Sequence, residues 1–544
     1  MNEKISIKEK IGYALGDGAA NIAWRGVATF LLIFYTDVFG IAPAAVGLLM
    51  FFARSFDGVS DVFMGMVGDQ TKSKYGKFRP WILWTAIPLG MILSLLFTTP
   101  DLSDSGKLIY AYVTYILFTL IYTANNIPYG ALMAVMTGDD KERTSIGSYR
   151  MVGAFAGGML VQGTLLYLVT TFGNVNPTID MVRLSEDTAK VTVSAAIDVP
   201  NAYIKTKDGI ATFKWGGDKD DTPTQSKSFN LEADKEYTFI VNGERNLSTD
   251  NISIINQKKG YSYSIYLMSA FLTGFMFITF FSTKERVKAP VAQKTNLKKD
   301  FRDLIHNKPW LVLLCIGLLF NIYNAIKQGI VVIYFTHYLH DQLMAATYMV
   351  GLTLVSILGA MVTAPISKKM GKKNLFISAL VFSGVINALI VLCNKSDITG
   401  IFVLGMLSEF AAAIFPTLFF AMLGDAADYS EYKNGRRATG LVYSAGSFAT
   451  KFGGGIAASI IGFVLSMYNY DGLDSSSIQG AIPGIIMLMS WVPSLIAVLA
   501  AALMMLYPLD DDKLSEITTE LSNRRIQEKN QASTDLSSEE LVNA

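Results

Sequence analysis

The chain has 544 residues, of which 51% are hydrophobic and 17% charged, with a formal net charge of +1 and a mean hydropathy of +0.36. Soluble domains carry about 25% charged residues, so this composition points to an integral membrane protein and away from a water-soluble enzyme. The net charge by itself says nothing about nucleic acid, but no basic stripe interleaves with aromatics, so no nucleic-acid partner is expected.

Taken in chain order, apolar runs of spanning length occur at 11–39, 46–68, 81–99, 108–136, 145–172 and 261–283. They resume at 309–336, 346–366, 374–393, 399–424, 438–467 and 482–507. Each suffices for a bilayer core of ~30 Å, which takes ~20 helical residues. The pattern predicts an all-α polytopic fold with twelve transmembrane helices in two sets of six. The polar, basic N-terminus has no small-residue cleavage site, so the first run is expected to be a retained span. The second interhelical loop, GDQTKSKYGKFRP, carries Lys72, Lys74, Lys77 and Arg79, and its counterpart SKKMGKKN carries Lys368, Lys369, Lys372 and Lys373. Short loops rich in Lys and Arg stay cytoplasmic. Both termini and the central connector are therefore expected in the cytoplasm. The recurring Gly-Lys turn is a weak internal repeat, and paired six-span repeats build one large class of secondary transporters. The chain has no phosphate-binding P-loop, so it does not read as ATP-driven.

The expected division is an N-terminal bundle of 1–172 plus 261–283, an insertion at 173–260, a central loop at 284–308, a C-terminal bundle at 309–507 and a tail at 508–544. The insertion contains the alternating stretches AKVTVSAAIDV and EYTFIV, the second followed by an Asn242-Gly243 turn signal. It reads as a small β-rich extracytoplasmic domain with Phe213, Trp215, Tyr237 and Phe239 as core, offering a surface to an outer partner. A long unstructured loop is the alternative. The tail predicts a short amphipathic helix around Leu514, Ile517 and Leu521. Cys315 and Cys393 read as small core residues, and the three histidines form no cluster with cysteine that would hold zinc.

Several polar residues fall inside apolar spans. A carboxylate at a helix centre costs ~2.5–3.5 kcal/mol on insertion scales, and such groups mark substrate or ion paths. Span one holds Asp17 and Asn21, which share a helix face. Span two holds Arg54, Asp57, Ser60 and Asp61, with Arg54 spaced to pair with Asp57. Span four supplies Tyr122, Thr123, Asn125 and Asn126 beside Pro128. Arg150, Lys327 and Lys451 lie in spans five, seven and eleven. One arginine does not neutralise both Asp57 and Asp61. Two carboxylates and a hydroxyl suit a monovalent cation, and a proton can replace it because adjacent carboxylates share one. The bland alternatives are snorkelling for Arg150 and Lys327, a helix-end contact for Asp17, and interhelical hydrogen bonding for Asn125 and Asn126.

The motifs YTDVFG, ARSFDGVSDVFMG, YGKFRPW, NIPYG, DAADYSEYKNGRR and YPLDDDKLSEI resemble the glycoside–pentoside–hexuronide:cation symporters, the melibiose permease family of the major facilitator superfamily. The likeness covers 8–172 and 261–525 and leaves out the insertion. It implies a multi-pass protein of the cell (inner) membrane, surrounded by lipid, that imports a sugar or glycoside with Na+ or H+ and uses no other cofactor or catalytic residue. It implies a cation site at Asp57, Asp61 and Thr123, with Ser60 where the melibiose carrier has Asn, which leaves sodium or proton open. Asn21 and Asn126 stand where the melibiose carrier has sugar-binding carboxylates, and the glucuronide carrier has Asn at both. Arg150 and Lys451 match basic residues of the family's sugar site and its surroundings, and Asn125, Tyr122, Lys327 and Asp17 complete the expected substrate set. Pro416 replaces a family tryptophan in span ten, which argues against galactoside recognition of the melibiose type. A lysolipid carrier on the same fold and a non-transporting sugar sensor are the alternative functions.

Overall fold

The computed structural model describes residues 5–523, apart from 138, 187, 207–211, 216–227, 243–247, 250–251, 287–304, 435–438, 511 and 522. The Asn242-Gly243 turn, most of the central loop and the end of the tail lie outside the described residues. So do the side chains of Phe213 and Trp215.

The N-terminal half contains α1 (Ile7–Ile33), α2 (Pro43–Gln70), α3 (Arg79–Leu96), α4 (Asp104–Met136), α5 (Asp140–Gly173) and α6 (Gln257–Ser282). The C-terminal half contains α7 (Lys308–Ile333), α8 (Gln342–Met370), α9 (Lys372–Ala388), α10 (Ile398–Ala412), α11 (Ile414–Asn434), α12 (Thr439–Met467), α13 (Ser475–Met489) and α14 (Trp491–Met505). Ser6, Ser103, Asn256, Asn307, Asp341, Asp397 and Asp474 cap helix starts by accepting from backbone N–H groups. Among the described residues, ten helical stretches are long and apolar enough to cross a membrane. α2, which carries Arg54, Asp57 and Asp61, is not one of them. Apolar side chains such as Ile87, Met91, Ile109 and Met361 face outward, as a bundle surrounded by lipid requires.

Two expected spans are not single helices. The run at 399–424 breaks at Ala413, where Pro416 has no N–H to give the Ala412 carbonyl. The run at 482–507 breaks at Ser490, because Pro493 leaves the Met489 carbonyl free. The Asn387 amide fills that gap by donating to the Met489 and Ser490 carbonyls at 3.0 Å each.

The halves mirror each other in one unusual detail. α1 ends in a π-helix at Phe34–Val38 and α7 ends in another at Tyr334–Tyr338. Such π segments are rare and concentrate at functional positions. The halves meet along α2 with α12 and along α5 with α8.

Between α5 and α6 stand eight strands, β1 (Asn174–Val175), β2 (Thr178–Arg183), β3 (Thr188–Ser194), β4 (Val199–Thr206), β5 (Thr212–Trp215), β6 (Ser228–Leu231), β7 (Tyr237–Asn242) and β8 (Ile252–Asn256). They form two four-stranded antiparallel sheets, ordered β1-β8-β4-β6 and β2-β3-β7-β5. Alternation places Val191, Val193, Phe239 and Val241 of one sheet against Val199, Leu231 and Ile254 of the other in a core separate from that of the bundle. At the far end of the chain, a helix over 512–521 buries Ile517 and Leu521.

Close backbone approach holds α1 to α5: a Cβ on Gly157 would lie 2.1 Å from the Gly18 carbonyl oxygen. Gly157→Val is expected to cost ~1–3 kcal/mol through overpacking and to lower the thermal midpoint of the purified protein. Gly130→Ala, where the added methyl meets nothing within 4 Å, serves as the control and leaves the midpoint unchanged.

Candidate functional site

α2 presents Asp57, Ser60 and Asp61 toward α4, which supplies Thr123. The Thr123 hydroxyl lies 2.8 Å from Asp57 Oδ1 and 3.1 Å from Asp61 Oδ1. Ser60 Oγ donates to the Asp57 carbonyl at 2.9 Å and approaches Thr123 Oγ1 at 3.4 Å. The remaining carboxylate oxygens receive an ammonium: Lys451 Nζ of α12 lies 3.0 Å from Asp57 Oδ2 and also pairs with Asp61 Oδ2. Glycines make this reach possible. A Cβ on Gly455 would meet Arg54 Cβ at 3.0 Å, and one on Gly462 would meet the Pro43 carbonyl oxygen at 2.4 Å. Small residues at these crossings let the two backbones close in.

The expected Arg54–Asp57 pair does not form. Lys451 already answers both carboxylates, and the Arg54 guanidinium instead lies 3.8 Å over the Trp24 ring, a favourable cation–π seat. The structure thus sets Lys451, expected at the sugar, on the two aspartates.

The other expected substrate residues fall in separate places. Arg150 Nε donates to Asp17 Oδ2 at 3.2 Å, and Asn21 donates to the Asp17 carbonyl at 3.0 Å. Asn125 bridges α4 to α3 through Thr85 Oγ1 at 2.7 Å, while Tyr122 stacks on Trp24 at 5.7 Å. Asn126 is half-buried. Lys327 Nζ pairs with Glu409 Oε2 at 3.2 Å, and Ser356 holds the other Glu409 oxygen at 2.8 Å.

Between the halves lie two cavities, or lobes, that share lining residues. The larger, about 220 Å³, is lined by Arg25, Lys327, Ser356, Glu409 and Pro416 among others. The smaller, about 110 Å³, is lined by Trp24, Arg54, Asn321 and Lys451 among others. Asn324 and Gln328, one turn apart on α7, line both. Lys327 and Lys451 therefore border these lobes; Asn21, Asn125, Asn126, Tyr122, Arg150 and Asp17 line neither lobe.

A second polar cluster joins the halves at the strand-bearing end. His337 Nε2 lies 2.6 Å from Asp37 Oδ2, and Tyr470 Oη donates to Asp37 Oδ1 at 2.8 Å. Asp37 and His337 occupy the paired π-helices. At the opposite end, Lys10–Glu142, Arg286–Glu9 and Lys372–Asp425 each stay within one half.

Sequence reasoning missed Trp24, Arg25, Glu409 and the Asp37–His337 contact. Signals existed: Glu409 is a lone carboxylate in the apolar run FVLGMLSEFAAA, and Arg25 sits in the middle of span one. What the linear order hides is which of these groups meet.

A sequence profile described as MFS/sugar transport protein matches residues 12–200 and 238–511. The chain is 30% identical over 538 residues to "Inner membrane symporter YicJ" of Escherichia coli (strain K12), covering 97% of this chain and 98% of that one. The chain belongs to the glycoside–pentoside–hexuronide:cation symporters of the major facilitator superfamily. Within that family it is 28% identical to the "Isoprimeverose transporter" of Lactiplantibacillus pentosus, over 92% of this chain and 88% of that one. It is likewise 28% identical to the "Glucuronide carrier protein homolog" of E. coli, over 96% and 97%. Among solved structures, a bacterial homolog of the human lysosomal transporter Spinster, inward-facing and unoccupied, superposes with a TM-score of 0.62 at 12% identity, over 92% of this chain and 97% of that one. This likeness places the bundle in the major facilitator fold. As a family member the protein is a multi-pass membrane transporter and not an enzyme.

The Lys327–Glu409 pair invites a direct test. Lys327→Met leaves a buried carboxylate uncompensated and is expected to cost ~3–5 kcal/mol. Adding Glu409→Gln is expected to recover most of that loss, read as a coupling energy in a double-mutant unfolding cycle.

Proposed function

We propose that this protein is a symporter that uses Asp57, Asp61 and Thr123, with Ser60 beside them, to couple a monovalent cation, Na+ or H+, to uptake of a sugar or glycoside. The observation that carries this reading is the ammonium of Lys451 between two carboxylates whose other oxygens converge on Thr123. The site already holds one monovalent positive charge. An incoming cation competes for that charge, and Lys451, once displaced, turns into the smaller lobe that it lines. Cation and cargo are then linked through one conformational equilibrium. Sugar cargo fits the family and the amides of Asn321, Asn324 and Gln328, which both donate to and accept from hydroxyls.

The same reading takes α10 with α11 and α13 with α14 as single broken spans, giving twelve spans with 1–172 plus 261–283 and 309–507 as the two bundles. Basic loops at 71–79 and 367–374 set the cytoplasmic side, together with both termini and the 284–308 loop. The 173–260 sandwich then stands outside, and the Asp37–His337–Tyr470 cluster closes the outer end.

Asp57→Asn and Asp61→Asn are each expected to abolish gradient-driven accumulation of labelled glycoside in proteoliposomes while leaving substrate exchange measurable. Wild-type accumulation by both variants would sink the assignment. Thr123→Ala is expected to weaken apparent sodium affinity about tenfold, the loss of one ligand worth ~1.4 kcal/mol, and to affect proton-driven uptake less. Imposing a sodium gradient or a pH gradient separately identifies the ion.

A further inference from the structure

Cations deep in the bundle divide into two groups. Arg150, Lys327 and Lys451 each sit against a carboxylate, namely Asp17, Glu409 and the Asp57–Asp61 pair. Their charge is already answered within the protein. Arg54 pairs with no carboxylate among the described residues and rests on the Trp24 ring. Arg25 differs from all of them. It projects from α1 into the larger lobe, its stem passing Gly158 of α5. Its Nη1 donates to the amide oxygen of Gln328 at 3.1 Å. Among the described residues it forms no ion pair. Glu409 lines the same lobe, but its two oxygens are held by Lys327 and Ser356.

A guanidinium carries five N–H donors in a fixed fork. Removing that charge from water without an anion is costly, and a single neutral amide answers little of it. The expense makes sense if the missing partner arrives with the cargo. A carboxylate presents two oxygens at the spacing of the fork, and such bidentate charge-assisted bonds are about twice as strong as neutral ones. Gln328 lines both lobes, so an anion arriving at Arg25 displaces an amide that is free to turn to the cargo's hydroxyls.

We propose that Arg25 is the residue that reads charge on the cargo, and that the cargo is a sugar or glycoside bearing a carboxylate. This rests on the sugar-symport reading and adds to it the class of sugar and the residue that selects it. It also shifts the role from Arg150, Lys327 and Lys451, the cations that sequence alone suggests, to one that forms no ion pair among the described residues and has Glu409 only across the same lobe.

The test uses the full chain in proteoliposomes and measures exchange of 4-nitrophenyl glycosides in pairs that differ only at C6: glucoside with glucuronide, and galactoside with galacturonide. Wild type is expected to favour the carboxylate of at least one pair by about tenfold or more, as a bidentate charged contact implies. Arg25→Gln is expected to bring the carboxylate-to-neutral exchange ratio, measured within that one variant, down to about one, and Arg25→Lys to retain part of the preference. Equal exchange of both members by wild type overturns the proposal, as does an Arg25→Gln loss that strikes both members alike. Either result leaves the sugar reading standing. Exchange of none of the four glycosides overturns the sugar reading and this inference with it.

Discussion

Charge kept away from water must be cancelled nearby, and in this bundle that requirement decides which helices are tied together. Asp17 with Arg150 ties α1 to α5, and Lys327 with Glu409 ties α7 to α10. Both ties lie within one half. Lys451 with Asp57 and Asp61 ties α12 to α2, and His337 with Asp37 ties the end of α7 to the end of α1. Both of these cross between halves. The first kind fastens helices within each half. The second kind spans the two halves, so under the proposed symport a cation that replaces Lys451 on the aspartates removes a tie between them.

Glycine sets the reach of those ties. The α2–α12 crossing brings Gly462 against Pro43 and Gly455 against Arg54, close enough for a lysine from one half to lie between two carboxylates of the other. Larger residues would hold the helices apart and leave the carboxylates facing a gap. The packing of the outer part of α2 and the electrostatics of its inner part are one arrangement: backbone proximity at one level fixes the distance over which charge is cancelled at the next.

Much of this is legible in the linear sequence, and the omissions have a common cause. Apolar runs locate the helices because lipid imposes one rule on every outward-facing residue. The i,i+4 spacing of Asp57 and Asp61 puts them on one face because helical geometry is local. Alternation in AKVTVSAAIDV reads as a strand for the same reason, and its first six residues, 189–194, lie in β3. Partner choice is not local. Arg54 is three residues from Asp57, yet Lys451, 390 positions from Asp61, takes the carboxylates, while Arg54 goes to a ring on α1. Likewise Asp37 meets a histidine 300 positions away, a contact that no window of sequence contains. The breaks at Ala413 and Ser490 are intermediate: Pro416 and Pro493 announce them, but a proline inside an apolar run also occurs within unbroken helices here, as Pro128 and Pro365 do.

The sandwich between α5 and α6 enters and leaves through a single doorway. β1 follows Gly173 directly, β8 runs straight into Gln257, and the two strands pair at Asn174 with Ile255. α5 and α6 are thus joined as they would be by a hairpin of a few residues, and the rest of the inserted chain hangs from that hairpin as a bead from a clasp. For protein engineering this makes the doorway a ready-made port. A reporter or affinity module with closely spaced termini can be exchanged for the sandwich while α5 and α6 keep their seats, giving a transporter labelled on one face at a defined point.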